Sequence, residues 1–257
     1  MLGAIIGDIV GSIYEFDNIR TKDFPLFSAN STFTDDTVCT IAIAEAILDE
    51  SDVVASLRKW CDKYPHMSYG TSFRSWLESV TPKPYNSWGN GAAMRISPAA
   101  FLATSLEQAR EVAIRATEVT HNHTEGLKGA LATVDAIWLF RNDGPDAQSV
   151  RRHIADTYGY DMDRTVDSIR PVYRFNESCQ ETVPEAIICA LEATDFEDVM
   201  RNAISIGGDS DTVAAIAGAI GEARFNDGIP EAIISEALRR LPQDLHSVVV
   251  RMYAKNV

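Results

Sequence analysis

Apolar positions recur along this chain at intervals of three and four, and two-residue alternation closed by hairpin turns is scarce, which predicts an all-α protein. Over residues 37–48, Val38, Ile41, Ala42 and Glu45 share one side of a helix, while Ile43, Ala46 and Ile47 widen the apolar arc. Residues 127–140 place Leu127, Ala130, Leu131, Val134 and Trp138 in register. The same rhythm predicts helices over 106–119, 147–157, 184–193, 196–206, 212–225, 230–241 and 245–254. Pro98, Pro184, Pro230 and Pro242 fall at predicted helix starts, where a missing amide hydrogen costs nothing.

These prolines punctuate the chain without dividing it. The stretch 79–97, rich in proline, glycine, asparagine and serine, has the composition of a linker, but Trp88, Met94 and Ile96 are too apolar for a free tether. We read it as a folded-back loop, with a helix over 94–103 broken early by Pro98. The 257 residues admit one large domain or two small ones, and a loop in place of the linker favours a single domain over 1–257.

Charge changes the picture more than length does. Lysine and arginine number 23 against 37 aspartates and glutamates, a formal net charge of −14. General attraction to nucleic acid or an anionic membrane is therefore not expected, because it needs a basic face to displace counterions. An anionic ligand would have to be held by local devices such as placed side chains, helix ends or bound cations. Cys39, Cys61, Cys179 and Cys189 lack Cys-x-x-Cys or zinc-like spacing and read as reduced packing thiols. The apolar N-terminus has no basic leader and is interrupted by Asp8, and no run reaches the roughly 20 apolar residues of a membrane span. A cytoplasmic location is expected.

Two short acidic motifs carry the candidate chemistry. Phe33-Thr34-Asp35-Asp36-Thr37 precedes one predicted helix and Gly207-Gly208-Asp209-Ser210-Asp211-Thr212 precedes another. Helix capping explains about one such side chain per helix, so two carboxylates at each start exceed what capping requires. Four carboxylates brought together would raise one another's pKa unless a cation neutralised them. Oxygen-only ligands suit hard ions such as Mg²⁺, Mn²⁺ or Ca²⁺. Spacing by itself leaves capping and a shared cation site both open. The helix after the second motif, Val213-Ala214-Ala215-Ile216-Ala217-Gly218-Ala219-Ile220-Gly221, is small enough in side chain for close backbone approach, and a buried helix would hold its carboxylates firmly.

An ordered set of further motifs joins these two: Gly3-Ala4-Ile5-Ile6-Gly7-Asp8, Gly11-Ser12-Ile13-Tyr14-Glu15, Tyr69-Gly70, Ser87-Trp88-Gly89-Asn90-Gly91-Ala92-Ala93-Met94-Arg95 and Thr120-His121-Asn122-His123. In this set the chain resembles the ADP-ribosylglycohydrolase family, which includes dinitrogenase reductase-activating glycohydrolases and serine- and arginine-directed ADP-ribosyl hydrolases. The resemblance implies a compact, orthogonal all-α domain with two divalent cations, Mg²⁺ or Mn²⁺, in a central cleft. By motif, Thr34, Asp35 and Asp36 would ligate metal from one side and Asp209, Asp211 and Thr212 from the other.

The remaining candidates follow from the same resemblance, each beside a plainer alternative. Glu15 matches a glutamate beside the metals and could manage a proton, although by composition it could equally be a surface residue; Asp36 competes for that role. Ser87, Trp88, Gly89, Asn90 and Gly91 would form a phosphate cradle, with glycines allowing close backbone approach, or would be a mere turn. Gly70 and His121 match substrate-contacting positions. His123 is less securely matched, and either histidine could be structural. Phe175 or Tyr173 is a candidate platform for adenine. The implied activity is hydrolysis of the glycosidic bond between ADP-ribose and a modified protein side chain. Alternatives are a non-protein ADP-ribosyl linkage (nucleobase, small molecule or O-acetyl-ADP-ribose), an ADP-ribose-binding module without catalysis, and a crystallin-like structural protein. The short connection between Ala193 and Gly207 departs from longer family members and leaves the acceptor open.

Overall fold

A computed structural model describes residues 1–144 and 146–255, so the last two residues of the expected 1–257 span lie outside the described residues. Among them the elements are α1 (Leu2–Gly11), α2 (Asp35–Leu48), α3 (Val53–Lys63), α4 (Thr71–Glu78), α5 (Gly91–Met94), α6 (Ser97–Leu102), α7 (Leu106–Glu118) and α8 (Thr124–Trp138). There follow α9 (Ala147–Tyr158), α10 (Val166–Ile169), α11 (Cys179–Glu192), α12 (Phe196–Ser205), α13 (Ser210–Phe225), α14 (Glu231–Leu238) and α15 (Gln243–Ala254). A π turn, Leu139–Asp143, continues α8. The protein is all-α; the extended pairing among the described residues is one isolated bridge between Gly89 and Ser178. No helix among the described residues is long and apolar enough to cross a membrane.

The centre of the fold is α13, buried without interruption from Ser210 to Ala223 and packed by α1, α11, α12 and α8. Small side chains make this possible. A Cβ built on Gly3 would lie 2.1 Å from the carbonyl oxygen of Gly218, one on Gly7 2.0 Å from that of Ala214, and one on Gly11 2.4 Å from the Cα of Asp211. Thus α1 and α13 meet backbone to backbone, and glycines four apart on α1 form the seam. All four cysteines are buried as free thiols.

The predicted helices are present, with three adjustments. Pro184 lies inside α11, not at its start. The helix begins earlier because its first turn is tied to the loop ahead of α5: the Cys179 amide donates to the Trp88 carbonyl (2.9 Å) and the Asn90 amide to that of Glu177 (2.7 Å). The segment 94–103 is divided between α5 and α6 at Arg95 and Ile96, and Pro98, in the first turn of α6, is not the breaker. The stretch 79–97 does fold back, its Tyr85 amide donating to Thr120 O (3.3 Å) and its Asn86 amide to Asn122 Oδ1 (2.8 Å). Helices α1, α3, α4 and α10 were not expected. The buried α1 has no polar face to give a period, and α4 and α10 are short.

Candidate active site

The N-termini of α2 and α13 converge on the C-terminal end of α1, and Asp8 is the pin. This carboxylate is fully buried and accepts from the Thr34 amide (2.9 Å), the Thr34 hydroxyl (2.7 Å), the Thr37 amide (3.1 Å) and the Thr37 hydroxyl. It thereby fixes the start of α2 against α1. Thr34 is the cap of α2, accepting from the Asp36 amide (3.2 Å), and Asp209 makes no side-chain cap bond at α13. Capping therefore uses no aspartate of either motif. Asp211 Oδ1 accepts from the amide of Thr212 (2.9 Å).

A cavity of about 390 Å³ opens at this junction. Glu15, Asp35, Asp36, Asp209, Asp211 and Thr212 line one side, and Gly70, Ser87, Gly89, Asn90, Gly91 and His121 also line it. Asn90 joins the two groups, donating 2.7 Å to Asp209 Oδ2. Trp88 and Phe175 fall instead in an adjoining cavity of about 780 Å³ that shares Ser72, Tyr85, Ser87, Gly89 and Glu177 with the first. Thr34 lines neither; its hydroxyl proton goes to Asp8 and one lone pair to the Asp36 amide, which leaves one lone pair. Tyr173 is buried beneath Gly208 and reaches neither cavity. His123 is a helix cap, accepting from the Glu125 amide (3.1 Å).

Electrostatically the acidic side is short of positive charge. Burial is the main cause raising Glu15, Asp35, Asp36, Asp209, Asp211 and the neighbouring Asp8, and nearby carboxylates add to the rise for all but Asp8 and Asp209. Asp8 reaches about 6, Glu15 about 7 and Asp35 about 7; Asp36 and Asp211 stand well above the ordinary range. Glu15, Asp209 and Asp211 each offer an oxygen within 4.8 Å of the others, and Asp36 Oδ2 is buried without a hydrogen-bond partner. An orphaned buried oxygen inside an all-oxygen cluster of crowded carboxylates fits a hard divalent cation.

That crowding sets a pH dependence. A carboxyl whose folded pKa is raised holds its proton more tightly in the fold, so its stabilising effect is complete below the unfolded pKa and is lost as pH rises through the folded one. Protein stripped with EDTA is expected to melt at progressively lower temperature between about pH 5 and pH 8, the window set by Asp8, Glu15 and Asp35. Added Mg²⁺ should offset the loss, since the cation binds the deprotonated cluster. A melting temperature that rises across that window in EDTA would contradict the crowding.

Two residues that hold the site carried no local sequence signal. Asn18 Nδ2 donates to the carbonyls of Tyr14 (2.6 Å), Glu15 (3.1 Å) and Gly208 (2.9 Å), while its Oδ1 accepts from the Gly208 amide (2.8 Å). It locks the Glu15 turn to the loop that carries Asp209. Arg20 reinforces the same junction by donating to the carbonyls of Tyr173 (2.7 Å), Arg170 (2.8 Å) and Ile206. Outside it, Phe16, 82% exposed, stacks on Phe175 at 6.0 Å.

Helices wrapped around a buried small-residue helix, with carboxylates and a glycine-rich loop lining a common cavity, define an all-α protein with an acidic cavity at the ends of its central helices. The chain belongs to the ADP-ribosylglycohydrolase family, which matches residues 1–256. It is 27% identical to an uncharacterized protein of Archaeoglobus fulgidus, over 98% of this chain and 97% of that protein. It is 25% identical to ADP-ribosylhydrolase ARH3 of Mus musculus (90% and 84%) and 24% identical to ADP-ribosylarginine hydrolase Tri1 of Pseudomonas putida (95% and 76%). A solved structure described as an ADP-ribosylglycohydrolase-related protein complex shares the fold, with a TM-score of 0.74 at 21% identity over 100% of this chain and 97% of that one. ADP-ribosyl hydrolysis is thus the activity of the family to which this chain belongs.

Proposed function

We propose that this chain, as one domain over 1–257, is a divalent-cation-dependent hydrolase that releases ADP-ribose from a modified protein side chain. The observation that carries the reading is the meeting of both acidic motifs and the Ser87–Gly91 stretch on one cavity. Thr34, Asp35 and Asp36 would hold cations from α2, and Asp209, Asp211 and Thr212 from α13. When bound, two Mg²⁺ or Mn²⁺ ions supply Lewis-acid polarisation at the ribose.

The chain's own residues do the rest. Glu15, half-buried and raised to about 7, can take a proton from attacking water at neutral pH or return one to the leaving group. Asp36 is the alternative carrier, but its deeper burial and its unpartnered Oδ2 suit it better to ligation. The glycine-bearing loop admits the phosphates, with Ser87, Asn90 and His121 beside them, and Gly70 lines the same cavity. Trp88 and Phe175, 52% and 45% exposed and lining the adjoining cavity, would receive adenine.

The test follows release of free ADP-ribose from ADP-ribosylated arginine, serine and thymidine with Mg²⁺ and then with EDTA. Turnover of one protein-type linkage that chelation abolishes is expected. Release that survives chelation refutes the mechanism, and binding of ADP-ribose without turnover of any substrate assigns a binding module instead.

A further inference from the structure

Of the loop's own amides, that of Gly89 already donates to Ser87 Oγ (3.1 Å) and that of Asn90 to the Glu177 carbonyl (2.7 Å). With these two amides engaged, a phosphate entering beside them gains from a donor outside the loop. The buried ring of His121 stands there. A methyl group built on Gly91 would lie 3.2 Å from its Nε2 and one on Gly89 3.5 Å from the same atom, so this nitrogen faces the loop. Among the described residues Nε2 has no protein hydrogen-bond partner.

The opposite edge of the ring determines what Nε2 carries. Arg95 can only donate, and its Nη2 lies 2.6 Å from Thr120 Oγ1. Having accepted there, the Thr120 hydroxyl sends its own hydrogen to one of two acceptors: His121 Nδ1 at 2.7 Å or the Thr117 carbonyl at 3.5 Å. The shorter contact wins. Nδ1 is then an acceptor, so a neutral ring must carry its proton on Nε2. Arg95 Nη2 also lies 3.5 Å from Nδ1, which again permits only an acceptor at that nitrogen.

We infer that Arg95 and Thr120 are positioning residues that fix His121 as the Nε2–H tautomer, a donor aimed at a diphosphate in the loop. The identity of that diphosphate as part of ADP-ribose rests on the proposed function; the tautomer does not. Burial, followed by the charge of Arg95, holds His121 well below its ordinary pKa, so the ring is neutral at pH 7. Arg95 itself is buried, lines the cavity, pairs with no carboxylate among the described residues and leaves Nε without a partner. Its uncompensated charge adds to the attraction for an anion in a cleft otherwise dominated by carboxylates.

Long-range ¹⁵N–¹H spectra of the Mg²⁺-loaded protein distinguish the tautomers, and His121→Gln assigns its signals among the 5 histidines. The wild type should show a protonated Nε2. Thr120→Val should give a mixed or reversed tautomer and weaken ADP-ribose binding by calorimetry roughly tenfold, the worth of one hydrogen bond to a charged group. Thr120→Ser should restore both. A protonated Nδ1 in the wild type overturns the inference without any variant, as does a Thr120→Val protein with unchanged tautomer and affinity. A wild type that carries Nε2–H but does not bind ADP-ribose refutes the proposed substrate and the donor's ligand, while the relay through Thr120 stands.

Discussion

Asp211→Asn is expected to lower ADP-ribose release by roughly 10³-fold or more and, in the same protein, to raise the melting temperature measured without divalent cations. The two effects have one cause. Asp211 is buried at the start of α13, and burial followed by the charges of Asp36 and Asp209 pushes its carboxyl well above the ordinary range. Asparagine has the same shape and keeps an oxygen for the Thr212 amide, which now bonds Asp211 Oδ1. It removes a charge that the cation-free fold holds at a penalty and that a hard ion requires. Mg²⁺ should therefore stabilise the wild type strongly and the variant little. Thermal melts of both proteins in EDTA and in Mg²⁺, beside single-turnover release, check the pair. A variant that melts lower than wild type in EDTA, or that retains turnover, would show that Asp211 serves the fold and not a cation.

How this site could be anticipated differs from residue to residue. The helices α2 and α13 are legible because each is a long, mostly apolar run of helix-compatible residues opened by a cap-like acidic motif, and the surplus of aspartates at each start is visible as composition. Their convergence is not legible from either segment, because periodicity is silent on which helix ends meet. The ordered motifs supplied it through resemblance, and the physical agent is the contact of α1 with α13 together with the four bonds received by Asp8. In the sequence Asp8 reads as an interruption of an apolar run; an acidic residue within an otherwise apolar helix is the signal that marks it. Asn18 gave none, since its partners at Gly208 lie 190 positions away. Pro184 misled for a related reason: a tertiary tie between Cys179 and Trp88 starts α11 upstream of the residue that local rules favour.

Gly7→Ala is expected to destabilise the protein by about 3 kcal/mol or more, at the upper end of what overpacking costs. In an isolated helix the change would be favourable, because alanine exceeds glycine in helix propensity by about 1 kcal/mol. Here the new Cβ would stand 2.0 Å from the Ala214 carbonyl oxygen, 2.3 Å from its carbon and 2.6 Å from the Ala215 nitrogen. These are backbone atoms in the middle of a buried helix, and no rotamer change moves them away. The clash is relieved only by separating α1 from α13, where Gly3 and Gly218 already oppose each other with no room for a methyl on either side. Separation also draws Asp8, and with it Thr34 and Thr37 of the α2 start, away from Asp209 and Asp211. At roughly 2–4 °C per kcal/mol for a chain of this size, the melting temperature should fall by about 6–12 °C, and the remaining folded protein should need more Mg²⁺ for half-maximal activity. Gly70→Ala is the steric control: its φ is −58° and a Cβ there meets nothing within 4 Å, so its melting temperature should stay near wild type. If Gly7→Ala melts with the control, the glycine seam does not set the distance between these helices, and the α13 start is held instead by the bonds of Asn18 to Gly208 and of Asn90 to Asp209.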